Sequence, residues 1–369
     1  MRFLSMALIC LIWIGGPAQA QIFDTSAGPV KVERMADKLN RPWSVALLPG
    51  GDFIVTERDV GKVWYFNTDG SRHEVWDIPR VASKRQGGLF DLVLARSFTS
   101  TGEVFLTYAQ ASEDGVRTAL AVANLSADNR RLENLRVIFR INSGSDSGSH
   151  FGGRVVEDNS GALFLTIGDR GDSTSAQDPA THQGKLVRVN RDGSVPADNP
   201  YVNGPFLPEV WSIGHRNPQG AALDESGQIW TVSHGAKGGD EINRPEPKKN
   251  YGWPVISYGT HYSGGQIGVG SSAPGMEQPR YYWDPSIAPS GMMIYSGKLF
   301  PQWKGSIFVG SLKFDYVARL TRDGDRITGE EKLFADEFQR IRDVREGPDG
   351  AIWFLSVGDR ALYRVTPAN

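Results

Sequence analysis

One phrase recurs six times along the chain: a turn carrying glycine, then a short run of alternating apolar, β-branched and aromatic residues. It reads LLPGGDFIVTE (47–57), FTSTGEVFLTY (98–108), EDNSGALFLTI (157–167), LDESGQIWTVS (223–233), FPQWKGSIFVG (300–310) and EGPDGAIWFLS (346–356). The aligned glycines are Gly51, Gly102, Gly161, Gly227, Gly305 and Gly350, spaced by 51, 59, 66, 78 and 45 residues, which brackets the length of a four-stranded propeller blade. Glycine supplies the positive φ of a tight hairpin turn. The residues after it suit a strand packed between neighbouring sheets.

With 43 glycines and 21 prolines the chain is rich in turns, and no amphipathic helix of useful length competes with the strands. The predicted fold is all-β: a six-bladed β-propeller with four-stranded antiparallel blades, spanning residues 21–369 as one domain. PVKVERMADKL (29–39) precedes the first copy and is expected to complete the last blade, fastening the ring. An open two-sheet sandwich is the alternative. The two longest gaps lie between Gly161 and Gly305 and contain SVPADNPYVNGPFLPEVW (194–211) and RPEPKKNYGWPVISYGTHYSGGQIGVG (244–270). Long loops on a rigid scaffold tend to carry function, so the site is expected on the face these loops occupy, around the central channel.

The first twenty residues read as a secretory signal peptide: Arg2, an apolar stretch LSMALICLIWIGG (4–16) and a small-residue cleavage site AQA (18–20). The single cysteine, Cys10, falls inside it, so the mature chain has neither disulfides nor thiol chemistry. Export without disulfides suits a bacterial periplasm. Removing Arg2 from 40 basic residues leaves 39 against 42 acidic ones, a net charge of −3, which favours neither nucleic acid nor anionic lipid as a partner. No later segment is apolar enough to span a bilayer.

Polar clusters sit at strand ends: RQGG (85–88), IGDRGD (167–172), GHRNPQG (214–220), SHGAKGGDEIN (233–243), SLKFD (311–315) and QRIRD (339–343). A propeller brings equivalent blade ends to one channel, so Gln86, Asp169, Arg216, Asn217, Lys313, Arg340 and Arg342 can converge there. Four convergent cations would demand an anionic partner; the alternative is local pairing with acids, such as Asp343 beside Arg342. His150, in SHFGGR (149–154), is either a hydrogen-bonded turn histidine or a base whose pKa lies near the working pH. His215 and His234 are read as packing residues, and His73, His182 and His261 lack matched acids. The histidine spacings give no zinc site.

Taken together, HFGGR, GDRGD, HRNPQG, HGAKGGDEIN, YGWP, APSGM and RIRDV occur in order through nearly the whole mature chain. They resemble the soluble pyrroloquinoline-quinone (PQQ) dependent aldose sugar dehydrogenases of the glucose/sorbosone dehydrogenase family, which are six-bladed propellers. The resemblance implies PQQ and calcium as cofactors, an aldose as substrate and an external electron acceptor. It also implies that Lys313, Arg340 and Arg342 hold the PQQ carboxylates, that Arg216 and Asn217 lie near the quinone oxygens, and that Gln86 and Tyr262 complete the shell. His150 would be the base, oriented by Asp169, with Gly152 and Gly153 letting the backbone turn closely under the cofactor. The carbonyls of Gly235 and Ala236 would hold the cofactor's calcium, and Glu241 with the Tyr251 carbonyl a structural one. The chain departs from the family where HGA (234–236) replaces a frequent His-Gly-Pro, and Arg170 receives no role. Competing readings are a calcium-dependent lactonase or esterase propeller, and a propeller that binds sugar or protein without catalysis.

Overall fold

The computed structural model describes residues 20–368; the expected signal segment, Cys10 included, lies outside the described residues apart from Ala20. Two strands, β1 (Gln21–Thr25) and β2 (Gly28–Ala36), precede the first repeat. Blade 1 is β3 (Pro42–Leu47), β4 (Phe53–Glu57), β5 (Lys62–Phe66) and β6 (Arg72–Val75), and blade 2 is β7 (Leu89–Leu94), β8 (Glu103–Ser112), β9 (Gly115–Leu125) and β10 (Leu132–Arg140). Blade 3 comprises β11 (Val155–Glu157), β12 (Leu163–Thr166), β13 (Lys185–Val189) and β14 (Val210–Ile213); blade 4 comprises β15 (Pro218–Leu223), β16 (Ile229–Ser233), β17 (Asp240–Asn243) and β18 (Tyr281–Trp283). Blade 5 is β19 (Pro289–Ile294), β20 (Ile307–Ser311), β21 (Val317–Asp323) and β22 (Arg326–Leu333). Blade 6 runs β23 (Ile341–Glu346), β24 (Ile352–Ser356) and β25 (Ala361–Pro367), and is then completed by β2 and β1.

All pairings within the sheets are antiparallel, and the first strand of each blade lies against the first strand of the next, with β23 meeting β3 to close the ring. This is a six-bladed β-propeller. The closure is the one expected from residues 29–39: β2 pairs with β25, Val32 opposite Val365. Blade 6 also carries an outer fifth strand, since β1 pairs with β2 (Phe23 opposite Val30).

Apolar clusters fill every gap between neighbouring blades. Leu92, Leu106 and Ile54 join blades 1 and 2, for example, while Phe354, Phe308 and Val32 join blades 5 and 6. The smallest lies between blades 3 and 4, built on Phe164, Leu186, Ala221 and Ile229. All six repeated glycines fall in the turn between the first and second strands of their blades, with φ between +66° and +94°, a region costly for side-chain-bearing residues. These turns therefore mark one face of the ring. The opposite face is where each innermost strand begins, and it is there that the polar clusters gather.

The two long insertions do not share a face, contrary to expectation. Residues 194–211 join β13 to β14 on the turn face, where Asn199 donates to the Arg188 carbonyl and Arg188 pairs with Asp158. Residues 244–270 leave β17 at the turn face and climb to the other, where Tyr251 donates its N–H to Ile213 at the end of β14 and Tyr262 reaches the central cavity.

Candidate active site

The channel is sealed midway by charge. Asp91 on β7 and Asp343 on β23 are wholly buried. Arg154 bridges them, with Nη1 3.0 Å from Asp91 Oδ1 and Nη2 3.2 Å from Asp343 Oδ1. Arg345 closes the ring, with Nη2 2.8 Å from Asp91 and Nε 3.0 Å from Asp343. Two arginines face two carboxylates, so this buried set is neutral.

Near this ring a cavity of about 780 Å³ opens on the face where the innermost strands start. Gln86, Arg216, Asn217, Lys313, Arg340 and Arg342 line it, as the polar clusters predicted, together with His150 and with Tyr262, which the resemblance supplied; Asp169, from the same clusters, does not line the cavity and meets it only through His150. None of Arg216, Lys313, Arg340 and Arg342 has a carboxylate within 4 Å among the described residues. Asp343 does not pair with Arg342, because it is consumed by Arg154 and Arg345. Arg342 instead donates to Gln219 Oε1 (3.1 Å), and Arg340 to the Leu312 carbonyl (3.0 Å). Burial, followed by the nearby cations Arg58, Arg154 and Arg340, pushes the Arg342 guanidinium down to about 9. Buried Arg216 Nε has no hydrogen-bond partner, and its guanidinium stands 5.3 Å from the centre of the Trp253 ring.

His150 enters the cavity from the loop before β11. Its Nδ1 lies 2.6 Å from Asp169 Oδ1, and its ring is partly exposed whereas Asp169 is almost fully buried. A carboxylate at Nδ1 selects the tautomer with hydrogen there and leaves Nε2 as the free lone pair. The loop is held hard. Gln86 Oε1 accepts the His150 backbone N–H (2.7 Å), so this glutamine braces the histidine as well as lining the cavity. Arg170, given no role from sequence, lies buried beneath, 3.4 Å from the Phe151 ring centre, and donates to the carbonyls of Val116 (3.1 Å) and Ser149. Close packing alone requires Gly152: with φ +66°, a Cβ there would lie 2.3 Å from the Thr166 carbonyl oxygen, and one at Gly153 would lie 2.9 Å from Phe90.

His234 also lines the cavity; burial first, then Arg216 and Arg342, pushes it down to about 3, and its Nε2 donates to the Pro289 carbonyl (2.6 Å). His215 is fully buried and stacked on Tyr251. His182 does have an acid, contrary to the sequence reading: Glu209 Oε2 lies 3.2 Å from its Nε2, and neither residue lines the cavity. Trp43, Phe90 and Phe151 form an aromatic wall that no spacing announced.

The four proposed metal-binding positions do not line the large cavity. Gly235, Glu241 and Tyr251 line an adjoining cavity of about 20 Å³, sharing Arg216 and His234 with the first, while Ala236 lies beyond it. Glu241 is half-buried, and desolvation, with Asp240, pushes its carboxyl up to about 7; among the described residues the only hydrogen-bond partner of that carboxyl is Asn243 Nδ2 (3.0 Å). Asn243 Oδ1 is buried with no partner. A space of this size accepts one water or one ion, and a carboxylate, an amide oxygen and backbone carbonyls are donors that suit calcium.

The family model for glucose / sorbosone dehydrogenase matches residues 39–364, and the chain belongs to that family. It is 39% identical over 347 residues to the aldose sugar dehydrogenase YliI of Escherichia coli strain K12, covering 92% of this chain and 94% of that one. A crystal structure of a glucose dehydrogenase superposes with a TM-score of 0.87 at 42% identity, covering 92% of this chain and 99% of that chain. The PQQ-bound form of an aldose sugar dehydrogenase from Streptomyces coelicolor superposes with a TM-score of 0.76 at 25% identity, covering 95% and 99%.

Proposed function

We propose that the protein is a PQQ-dependent dehydrogenase that oxidises aldose sugars at C1 to lactones and passes the electrons to an external acceptor. The observation that carries this reading is the cation set: Arg216, Lys313, Arg340 and Arg342 share one cavity, and none of them is ion-paired among the described residues, the cavity's Asp315 accepting the Arg340 backbone N–H (2.8 Å) instead; beside them stands an imidazole mounted on a buried carboxylate. PQQ is a flat orthoquinone with three carboxylates, and unpaired guanidinium forks and an ammonium are the groups that bind such an anion.

Lys313, Arg340 and Arg342 would hold the carboxylates, Arg216 and Asn217 would lie near the quinone oxygens, and Gln86 and Tyr262 would complete the shell. When bound, PQQ supplies the hydride acceptor. His150 Nε2 takes the proton of the C1 hydroxyl, and Asp169 keeps the ring oriented and stabilises its protonated form. Arg216 favours negative charge developing at the quinone end. The carbonyls of Gly235 and Ala236, which border the cofactor cavity without lining it, would hold the calcium that accompanies the cofactor, and Glu241, Asn243 and the Tyr251 carbonyl would hold a structural one. Residues 1–20 act as a cleavable signal that directs the chain to the periplasm, and none of the helices among the described residues is long and apolar enough to cross a membrane. A lactonase built on a metal held by channel carboxylates is disfavoured, because Asp91 and Asp343 are both committed to arginines and Asp315, on the cavity wall, stands among Lys313, Arg340 and Arg342 rather than beside a second carboxylate.

The test is reconstitution. The purified apoprotein, supplied with PQQ and calcium, should bind the cofactor and reduce a dye with an aldose as donor. Failure to bind PQQ at micromolar concentration would contradict the assignment.

A further inference from the structure

Trp253 touches both halves of the site. It sits on the long loop that leaves blade 4, anchored by its own N–H to the Gly214 carbonyl (3.0 Å) and by Gln177, which donates to its carbonyl (2.7 Å). Its indole Nε1 donates to Asp169 Oδ2 (2.8 Å), the carboxylate oxygen opposite the one that holds His150. Its ring face lies 5.3 Å from the Arg216 guanidinium carbon. The Asp169 carboxylate is otherwise met, among the described residues, only by the N–H of Gly171 on Oδ1 (2.8 Å), so the indole is the one partner of Oδ2 among them.

We infer that Trp253 is a positioning residue that tunes His150 through Asp169 while holding Arg216 by its ring face; this rests on the reading of His150 as the base. A donor on Oδ2 withdraws charge from the carboxylate and so weakens its pull on the Nδ1 hydrogen. The imidazolium is then less stabilised, and Nε2 stays unprotonated to lower pH. The other charged or titratable groups around the pair are Arg216 and His234 on the cavity side and Arg170 beneath, and none of them contacts Oδ2. Arg216, meanwhile, lacks any partner at Nε, so the indole face fixes a guanidinium that few other contacts restrain.

Two substitutions separate these roles. Trp253→Phe keeps a ring face and loses the N–H. It should move the acid limb of the kcat profile to higher pH by about half to one unit, with PQQ affinity within about threefold of the parent. Trp253→Leu should show the same limb shift and also weaken PQQ binding by about three- to tenfold. In a His150→Ala background, Trp253→Phe should change turnover no further. An acid limb superimposing on the parent's, with turnover lowered, would make the indole merely structural and overturn the inference.

Should either variant fail to fold, the unaltered apoprotein gives an independent reading. The Trp253 indole N–H resonance, assigned through contacts to Gly214 and Gly171, should titrate with the same midpoint as the His150 ring. An indole resonance flat across that transition would overturn the coupling. If the His150→Ala enzyme turned over normally, it is the base assignment that would fall, while the shared midpoint would still be there to measure.

Discussion

Two sets of cations share the channel, and they are opposites. Arg154 and Arg345 lie in the sealing ring, where Asp91 and Asp343 neutralise them completely. Arg216, Lys313, Arg340 and Arg342, in the cavity beside them, have no carboxylate within ion-pair distance. A buried charge is tolerated when paired and hydrogen-bonded, and is costly alone. The first set is charge-balanced without a ligand, although Arg154 Nη2 and Asp343 Oδ1 keep no hydrogen-bond partner among the described residues, whereas the second, with Lys313 and Arg340 exposed and Arg216 and Arg342 half-buried, lies open to an anion. The same residue type on adjacent parts of one scaffold is a brace in one place and a binding site in the other.

The sharpest way to break this comparison is to remove one arginine from each set. Arg154→Ala strands two buried carboxylates with Arg345 alone and should cost on the order of 3–5 kcal/mol of folding stability, read by denaturant unfolding. Arg342→Ala strands no charge: it frees only the half-buried Gln219 Oε1 and relieves repulsion among like charges, and should leave the stability of the apoprotein within about 1 kcal/mol of the parent. Equal losses in the two variants would erase the distinction.

Affinity should divide the sets the other way. Arg340→Ala and Arg342→Ala each leave a PQQ carboxylate unpaired, which should cost on the order of 1.5–3 kcal/mol, about tenfold to more than a hundredfold in affinity. Unchanged affinity in both variants, measured by titration, would remove the carboxylate clamp.

The smallest expected effect lies in the adjoining cavity, where the sign of the charge is reversed. Burial holds Glu241 up at about 7 against an ordinary 4.5, so in metal-free protein its ionisation opposes folding, and stability is lost as pH rises from 4.5 through 7. Glu241→Gln should therefore stabilise the metal-free protein at pH 8 by about 1–2 kcal/mol. With calcium present the ion stabilises the native state by mass action, and the same substitution should destabilise it. A change of the same sign with and without calcium, seen by calorimetry, would leave no structural ion to explain.

Much of this was legible in the sequence. Six glycines at equivalent turns and a spare strand at residues 29–39 specified the ring and its closure, because a positive φ and an unpaired edge strand admit few alternatives. The cavity residues were legible too, since polar clusters at strand ends must converge once the ring closes. What was not legible depends on side-chain direction and on distance across blades. Asp343 follows Arg342 in sequence, yet a strand's period of two pairs it with Arg345, two residues on, and the topology brings Arg154 from blade 3. The face reached by residues 194–211 depended on which hairpin they joined, and the spacing of the repeats did not carry that information. Trp43, Phe90 and Phe151 looked like ordinary core aromatics because they also are core aromatics.

The central claim is that the unpaired cations and His150 form one cofactor site, and the most direct measurement is a crystal structure of the protein soaked with PQQ. The account predicts PQQ carboxylates on Lys313, Arg340 and Arg342, with the quinone oxygens beside Arg216 and His150 the nearest histidine. PQQ bound outside this cavity, or a quinone facing His234 with His150 turned away, would contradict it.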